Sequence, residues 1–122
     1  MTRTFRASIT TFLGILFLAI TLGTGCSDAC DGEEPRARIV NNGSDKASVQ
    51  IKTSGGNTEN INNVETGTMS DWSSFAAGET EFTVVVTGST DTVVVVTMLE
   101  CYEYSINISS DDNVTSSAVE RE

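Results

Sequence analysis

The three cysteines of this 122-residue chain, Cys26, Cys30 and Cys101, are the residues whose chemistry could be most informative. A cysteine thiol can form a disulfide, bind a metal, take part in redox chemistry or carry a lipid. A disulfide between Cys26 and Cys30 would enclose only three residues and would add little stability. Metal or redox chemistry on this pair is a further alternative, although the Cys-x-x-x-Cys spacing and the absence of histidine from the chain argue against it.

Other catalytic combinations are missing from the sequence. Without histidine there is no Ser-His-Asp or Cys-His arrangement, and no glycine-rich phosphate loop precedes a helix pattern. Asp111, Asp112 and Asn113 could offer oxygen atoms to calcium, but three adjacent residues cannot supply its six to eight ligands. The sequence therefore predicts a protein that is not an enzyme and that needs no metal or cofactor.

Trp72, Tyr102 and Tyr104 are the aromatic residues that could contact a ligand. An exposed tryptophan can stack on a sugar ring, so Trp72, the only tryptophan, would lead a glycan-binding or small-ligand-binding site. The opposing interpretation places Trp72 in the hydrophobic core, and the sequence favours that position.

The first 25 residues have the composition of a signal peptide. Arg3 and Arg6 precede a mostly apolar run from Ile9 to Leu22, which as a helix would cover about 21 Å. That length is short of the roughly 30 Å hydrocarbon core of a bilayer, so a permanent membrane span is the weaker interpretation.

The stretch Gly23-Thr24-Gly25-Cys26 resembles the lipobox of bacterial lipoproteins. Gly25 matches the small residue before the cysteine, and Gly23 stands where the family usually has leucine. The resemblance implies that Cys26 begins the mature chain and carries a diacylglyceryl group and a further acyl chain such as palmitate, which anchors the protein. Cys30 and Cys101 would then remain as a disulfide pair, worth roughly 4 kcal/mol. A secreted protein with Cys26 as a structural thiol is the alternative.

The charge of the mature chain bears on its partners and location. Seventeen acidic and five basic residues follow Cys26, a formal charge of about −12, which is unsuited to nucleic acid. Residues 26–35 are predicted to form an acidic tether, whose composition resembles the export signal of surface lipoproteins in Bacteroidetes-like bacteria. These resemblances imply a lipid-anchored protein of the bacterial outer membrane, on its periplasmic or outer face, with an unknown protein or glycan partner.

Residues 36–122 have the pattern of an all-β domain, because period-two alternation and β-branched residues recur between turn signals. Arg36 to Asn41 and Ala47 to Thr53 flank Asn42-Gly43, which predicts a first hairpin. Thr53 to Asn63, rich in Ser, Gly and Asn, is predicted to be the longest loop.

Later segments predict further strands. The poor alternation from Val64 to Phe75 predicts a short or bulged strand, and the continuous apolar run from Val93 to Val96 predicts a central strand covered on both faces. Two half-buried strands are predicted from alternation, with core faces at Phe82, Val84 and Val86, and at Tyr102, Tyr104, Ile106 and Ile108. Cys101 would face away from the core, and one short strand would follow near Val114 to Val119.

Six or seven short antiparallel strands favour an immunoglobulin-like β-sandwich. The strings Ala37-Arg38-Ile39-Val40-Asn41, Gly67-Thr68-Met69-Ser70 and Phe75-Ala76-Ala77-Gly78 are similar to small bacterial lipoproteins with a sandwich domain of unknown function. That resemblance implies an extracytoplasmic β-domain without catalytic residues. We expect a lipid-anchored structural or interaction module; the alternatives are a glycan-binding or small-ligand-binding module and a cysteine-based redox or metal-handling protein.

Overall fold

The computed structural model describes residues 30–122, so the predicted signal peptide and Cys26 lie outside the described residues. The described part contains strands and no helix, and hence no helix long and apolar enough to cross a membrane. The nine strands in residues 30–122 are β1 (Arg36–Asn41), β2 (Ala47–Lys52), β3 (Thr58–Val64), β4 (Thr68–Met69), β5 (Ser73–Ser74), β6 (Gly78–Val86), β7 (Thr92–Met98), β8 (Tyr102–Ile108) and β9 (Val114–Glu120).

The strands form two sheets that pack as a sandwich. Sheet A has the order β4-β1-β8-β9, with β5 also paired to β1, and sheet B has the order β3-β2-β6-β7. The predicted all-β sandwich is confirmed, with nine strands where the pattern predicted six or seven. The expectation that all strands pair antiparallel is wrong at one place, because β1 and β8 run parallel.

The core lies between the inner faces of the two sheets. Alternation along β2, β6 and β8 points every second side chain inward, as the sequence predicted. Each such apolar side chain contributes about 1.5 to 3 kcal/mol when it is fully buried. The largest apolar side chains that are fully buried are Phe82, Ile39, Ile51, Met98, Ile106 and Ile108.

The predicted first hairpin is wrong. β1 has the expected bounds and β2 ends one residue early, at Lys52, but the two strands belong to different sheets, and residues 42–46 cross from one sheet to the other. Asn41 explains why the Asn-Gly pair does not close a hairpin. Its side chain is fully buried and accepts a hydrogen bond from the backbone N–H of Gly43, which holds the chain in the crossover.

The predicted long loop from Thr53 to Asn63 is also wrong in its second half. Residues 58–64 form β3, which pairs antiparallel with β2 as an edge strand. Most β3 side chains are polar and exposed, so the sequence of this strand shows no alternation of apolar residues from which it could have been predicted. Its backbone hydrogen bonds to β2 supply the order instead.

β7 is an edge strand of sheet B, where a central strand was predicted. Val96 and Met98 point into the core, whereas Val93 and Val95 are 54% and 55% exposed on the outer face. The continuous run of valines therefore reflects neither a central position nor burial on both faces. The segment between residues 64 and 75, where one short or bulged strand was predicted, contains two short strands, β4 and β5. β9 occupies the predicted terminal segment.

Candidate functional site

The disulfide between Cys30 and Cys101 confirms the predicted pairing, with the two Cα atoms 5.4 Å apart. Cys101 immediately precedes β8 and has a positive φ of 66°. Its backbone N–H donates to the carbonyl of Glu33, and its carbonyl accepts from the N–H of Arg121. The two ends of the domain thus meet at one end of the sandwich, which we call the disulfide end.

An ion pair strengthens the disulfide end. The Nη1 atom of Arg121 lies 3.0 Å from a carboxylate oxygen of Glu33, and its Nη2 atom donates to the carbonyl of Glu34. The segment before β1 is therefore held to the C-terminal segment by a covalent bond, backbone hydrogen bonds and one ion pair. Cys26 precedes Cys30 by four residues and lies outside the described residues.

Trp72 lies on the outer face of sheet A, so its predicted core position is wrong. Its half-buried ring is covered by two guanidinium groups, with the Cζ atoms of Arg36 and Arg38 at 5.1 and 4.5 Å from the ring centroid. Such cation–π contacts are each worth about 0.5 to 1 kcal/mol at exposed sites. We call Arg36, Arg38, Met69, Trp72 and Glu103 the Trp72 cluster.

Strand pairing explains why these residues meet. Alternation along β1 sends Ala37 inward and the two flanking arginines outward. β5 pairs with the start of β1, so Trp72, just before β5, is placed over the outer face of β1. On the other side of β1, β8 runs in parallel register and sets Glu103 opposite Arg36, where the two side chains form an ion pair.

A polar groove of about 450 Å³ lies beside the Trp72 cluster, between β3 and the chain that forms β4 and β5. Met69 lines the groove and also contacts Arg38, with its Sδ atom 3.1 Å from Nη1 of the arginine. The other groove residues include amide and hydroxyl side chains, namely Asn60, Asn62, Asn63, Ser70 and Ser73. These groups can both donate and accept hydrogen bonds.

The two tyrosines that the sequence singled out do not join Trp72. Tyr104 is 4% exposed in the core, and its hydroxyl donates to the carbonyl of Thr97 and accepts from the N–H of Leu99. Tyr102 is half-buried and packs against that core, on the inner face of sheet A. The three aromatic candidates therefore do not form one ligand-binding surface, and Trp72 is the one beside the groove.

The opposite end of the sandwich is organised by Asp112, one of the three residues considered above as calcium ligands. Its carboxylate accepts hydrogen bonds from the backbone N–H and the hydroxyl of Ser44, and from the hydroxyl of Ser89. Hydrogen bonds from the side chain and backbone of Ser44 hold the pKa of Asp112 below its ordinary value. One carboxylate thus joins residues 42–46, 87–91 and 109–113, which we call the distal loops.

These features define a two-sheet β-sandwich domain with a disulfide at one end. Its fold has a counterpart among solved structures, an NMR structure of a protein from Eubacterium rectale, with 15% identity and a TM-score of 0.53. The match covers 74% of this chain and 92% of that chain. At this identity the likeness concerns the fold alone. No family model and no curated protein matches the chain.

Proposed function

We propose that the protein is a lipid-anchored, non-enzymatic interaction module of the bacterial outer membrane. The observation that carries the proposal is the disulfide between Cys30 and Cys101. It uses two of the three cysteines and leaves Cys26 as the remaining one, directly after the predicted signal peptide. An odd cysteine in an exported protein needs a separate role, and the lipobox resemblance of residues 23–26 supplies one.

The position of the disulfide suits an anchored domain. Cys30 is four positions after Cys26, so an acyl group on Cys26 would lie within about 14 Å of the disulfide end. The disulfide end would then be next to the membrane. The strands would project outward and present the distal loops to partners in the periplasm or outside the cell.

Intact mass spectrometry of the protein from its host's membranes tests the anchor. The expected mass is that of a chain beginning at Cys26 with acyl groups attached, and labelled palmitate should enter the wild type. The Cys26→Ser variant should lack the label and leave the membrane fraction. Cys101→Ser is the matched control, because it removes a cysteine without touching the lipidation position. An unlabelled wild-type chain would refute the anchor.

A second candidate function, a glycan-binding or small-ligand-binding module, is favoured by the surface position of Trp72 beside the polar groove. A glycan array probed with wild type and Trp72→Ala tests it, with circular dichroism to confirm that the variant folds. Loss of binding in the folded variant is expected. Tyr102→Phe is a control for aromatic changes elsewhere. Binding that survives the loss of Trp72 would remove this residue from the site.

The redox or metal-handling alternative is supported less. It depends on Cys26 and Cys30 acting as a pair, and the disulfide commits Cys30 to Cys101. Stoichiometric metal in protein isolated from its own membrane would restore this alternative.

A further inference from the structure

Arg38 carries a positive charge that no carboxylate balances within residues 30–122. The other two arginines of this range, Arg36 and Arg121, form ion pairs with Glu103 and Glu33. Arg38 contacts the Trp72 ring, the sulfur of Met69 and, at 3.4 Å, the hydroxyl of Ser105. Its Nη2 atom makes no hydrogen bond among the described residues, so part of the guanidinium fork is available to an acceptor from outside.

The surroundings fix this cation in place. Arg38 is half-buried, and its contacts with the Trp72 ring and the Met69 sulfur restrict its guanidinium. A guanidinium held in one orientation can donate from Nη2 to a carboxylate oxygen and loses little side-chain entropy on binding. Since the chain has a formal charge of −10, its acidic surface disfavours polyanions, and a ligand with few negative charges fits better.

We propose that Arg38 binds the carboxylate of an acidic saccharide, whose neighbouring sugar extends over Met69 into the polar groove. The groove supplies amides and hydroxyls, and sugar hydroxyls need partners that both donate and accept. The carboxylates of Glu65 and Asp71 also line the groove and can accept hydrogen bonds from sugar hydroxyls, so the negative charge of the saccharide is placed at Arg38. This inference rests on the second candidate function and names its ligand class.

The fluorescence of Trp72 can report binding directly, because it is the only tryptophan. The full chain is titrated with digalacturonate, with its methyl ester, which has the same shape without the charge, and with an oligoglutamate peptide. Digalacturonate should change the fluorescence, and the ester should bind at least about tenfold more weakly, as expected when a charged hydrogen bond is lost.

Variants assign the effect to Arg38. Arg38→Gln should weaken digalacturonate binding at least about tenfold, to the affinity of the ester. Lys46→Gln, which removes the same charge at the distal loops, should bind as the wild type does. If Arg38→Gln does not fold, Arg38→Lys keeps the charge without the planar fork and should still bind severalfold more weakly than the wild type.

The remaining outcomes distinguish a failure of this inference from a failure of the second candidate function, glycan or small-ligand binding. Equal affinity for digalacturonate and its ester would overturn the role of the carboxylate and leave a neutral-glycan module standing. A preference for oligoglutamate would overturn the saccharide and assign the site to acidic peptides. No response to any of the three probes would overturn this inference, and the glycan array would then decide the ligand-binding function separately.

Discussion

Asn41 links the two sheets through a single buried amide. Its Nδ2 group donates to the carbonyls of Asp45 and Val64, and its Oδ1 atom accepts from the N–H of Gly43. Val64 belongs to β3 in sheet B, whereas Asn41 ends β1 in sheet A. Buried polar atoms are costly when unsatisfied, so these three hydrogen bonds depend on asparagine at this position.

Asn41→Ala should lower the free energy of unfolding by roughly 2 to 4 kcal/mol, because it leaves buried backbone groups without partners. Urea denaturation followed by circular dichroism measures the loss. Asn42→Ala is the matched control, since the adjacent asparagine is exposed, and it should change stability by less than about 0.5 kcal/mol. Equal losses in the two variants would contradict a special role for Asn41.

Trp72 shows what residue type can and cannot predict. Because a tryptophan carries a large apolar ring, the sequence favoured a core position for Trp72. In the structure two arginines on the outer face of β1 cover the ring instead. The arginines are 34 to 36 residues away in the chain, and only strand pairing brings them together. Cys30 and Cys101 could be paired from sequence because three cysteines allow only three pairings and the lipobox resemblance sets Cys26 aside.

Among the elements, the distal loops depend on Asp112. Its φ is 61°, a left-handed conformation that asparagine also tolerates, so Asp112→Asn removes the charge without straining the backbone. The folded-state pKa is lower than the unfolded one, which is near 3.9. The stabilisation by this carboxylate is therefore complete above the unfolded pKa and is lost as pH falls through the folded-state pKa.

The stability difference between wild type and Asp112→Asn should thus be constant above about pH 5 and shrink below about pH 4. Urea denaturation at intervals between pH 7 and pH 2.5 measures it. Asp111→Asn is the matched control, because within residues 30–122 the Asp111 carboxylate accepts hydrogen bonds only from Ser109 and Asn113 in its own loop. A difference that does not vary with pH would contradict the assigned role of the charge.

The position of β7 at a sheet edge has a consequence for solubility. Residues 92–99 contain no charge or proline, which are the usual protections of an edge strand, and Val93 and Val95 are exposed. Such a segment can pair with strands of other molecules.

Alternation predicted which residues of β6 and β8 face the core. The sequence of a strand does not show whether the strand has a neighbour on both sides or lies at the edge of its sheet.

Val95→Lys should slow aggregation at high protein concentration, measured by light scattering, and change the unfolding free energy by less than about 1 kcal/mol. The change also reduces the net negative charge, so a slower rate cannot come from stronger overall repulsion. Val119→Lys is the matched control, because that valine on β9 is 66% exposed. If both variants slow aggregation equally, β7 is not the responsible edge.

At the scale of the whole molecule, the sequence predicted the class of fold well and the connections poorly. Burial of alternate side chains is a local property, so the all-β sandwich and most strand bounds could be inferred from β-branched residues and turn signals. Sheet membership depends on pairing between distant strands. Three features depend on such pairing and could not be inferred from the sequence: the parallel pair of β1 and β8, the crossover at residues 42–46 and the Trp72 cluster.

The disulfide acts on the whole domain because it closes a loop of 71 residues from the start of the described chain to β8. By restricting the unfolded chain, a loop of that length should contribute about 4 kcal/mol to stability. Cys30→Ser combined with Cys101→Ser should lower the unfolding free energy by that amount, and reduction of the wild type should have the same effect. Cys26→Ser is the matched control and should leave stability unchanged, since the disulfide remains. A double variant as stable as the wild type would show that the backbone hydrogen bonds and the ion pair of the disulfide end are enough to hold the N-terminal segment against the sandwich.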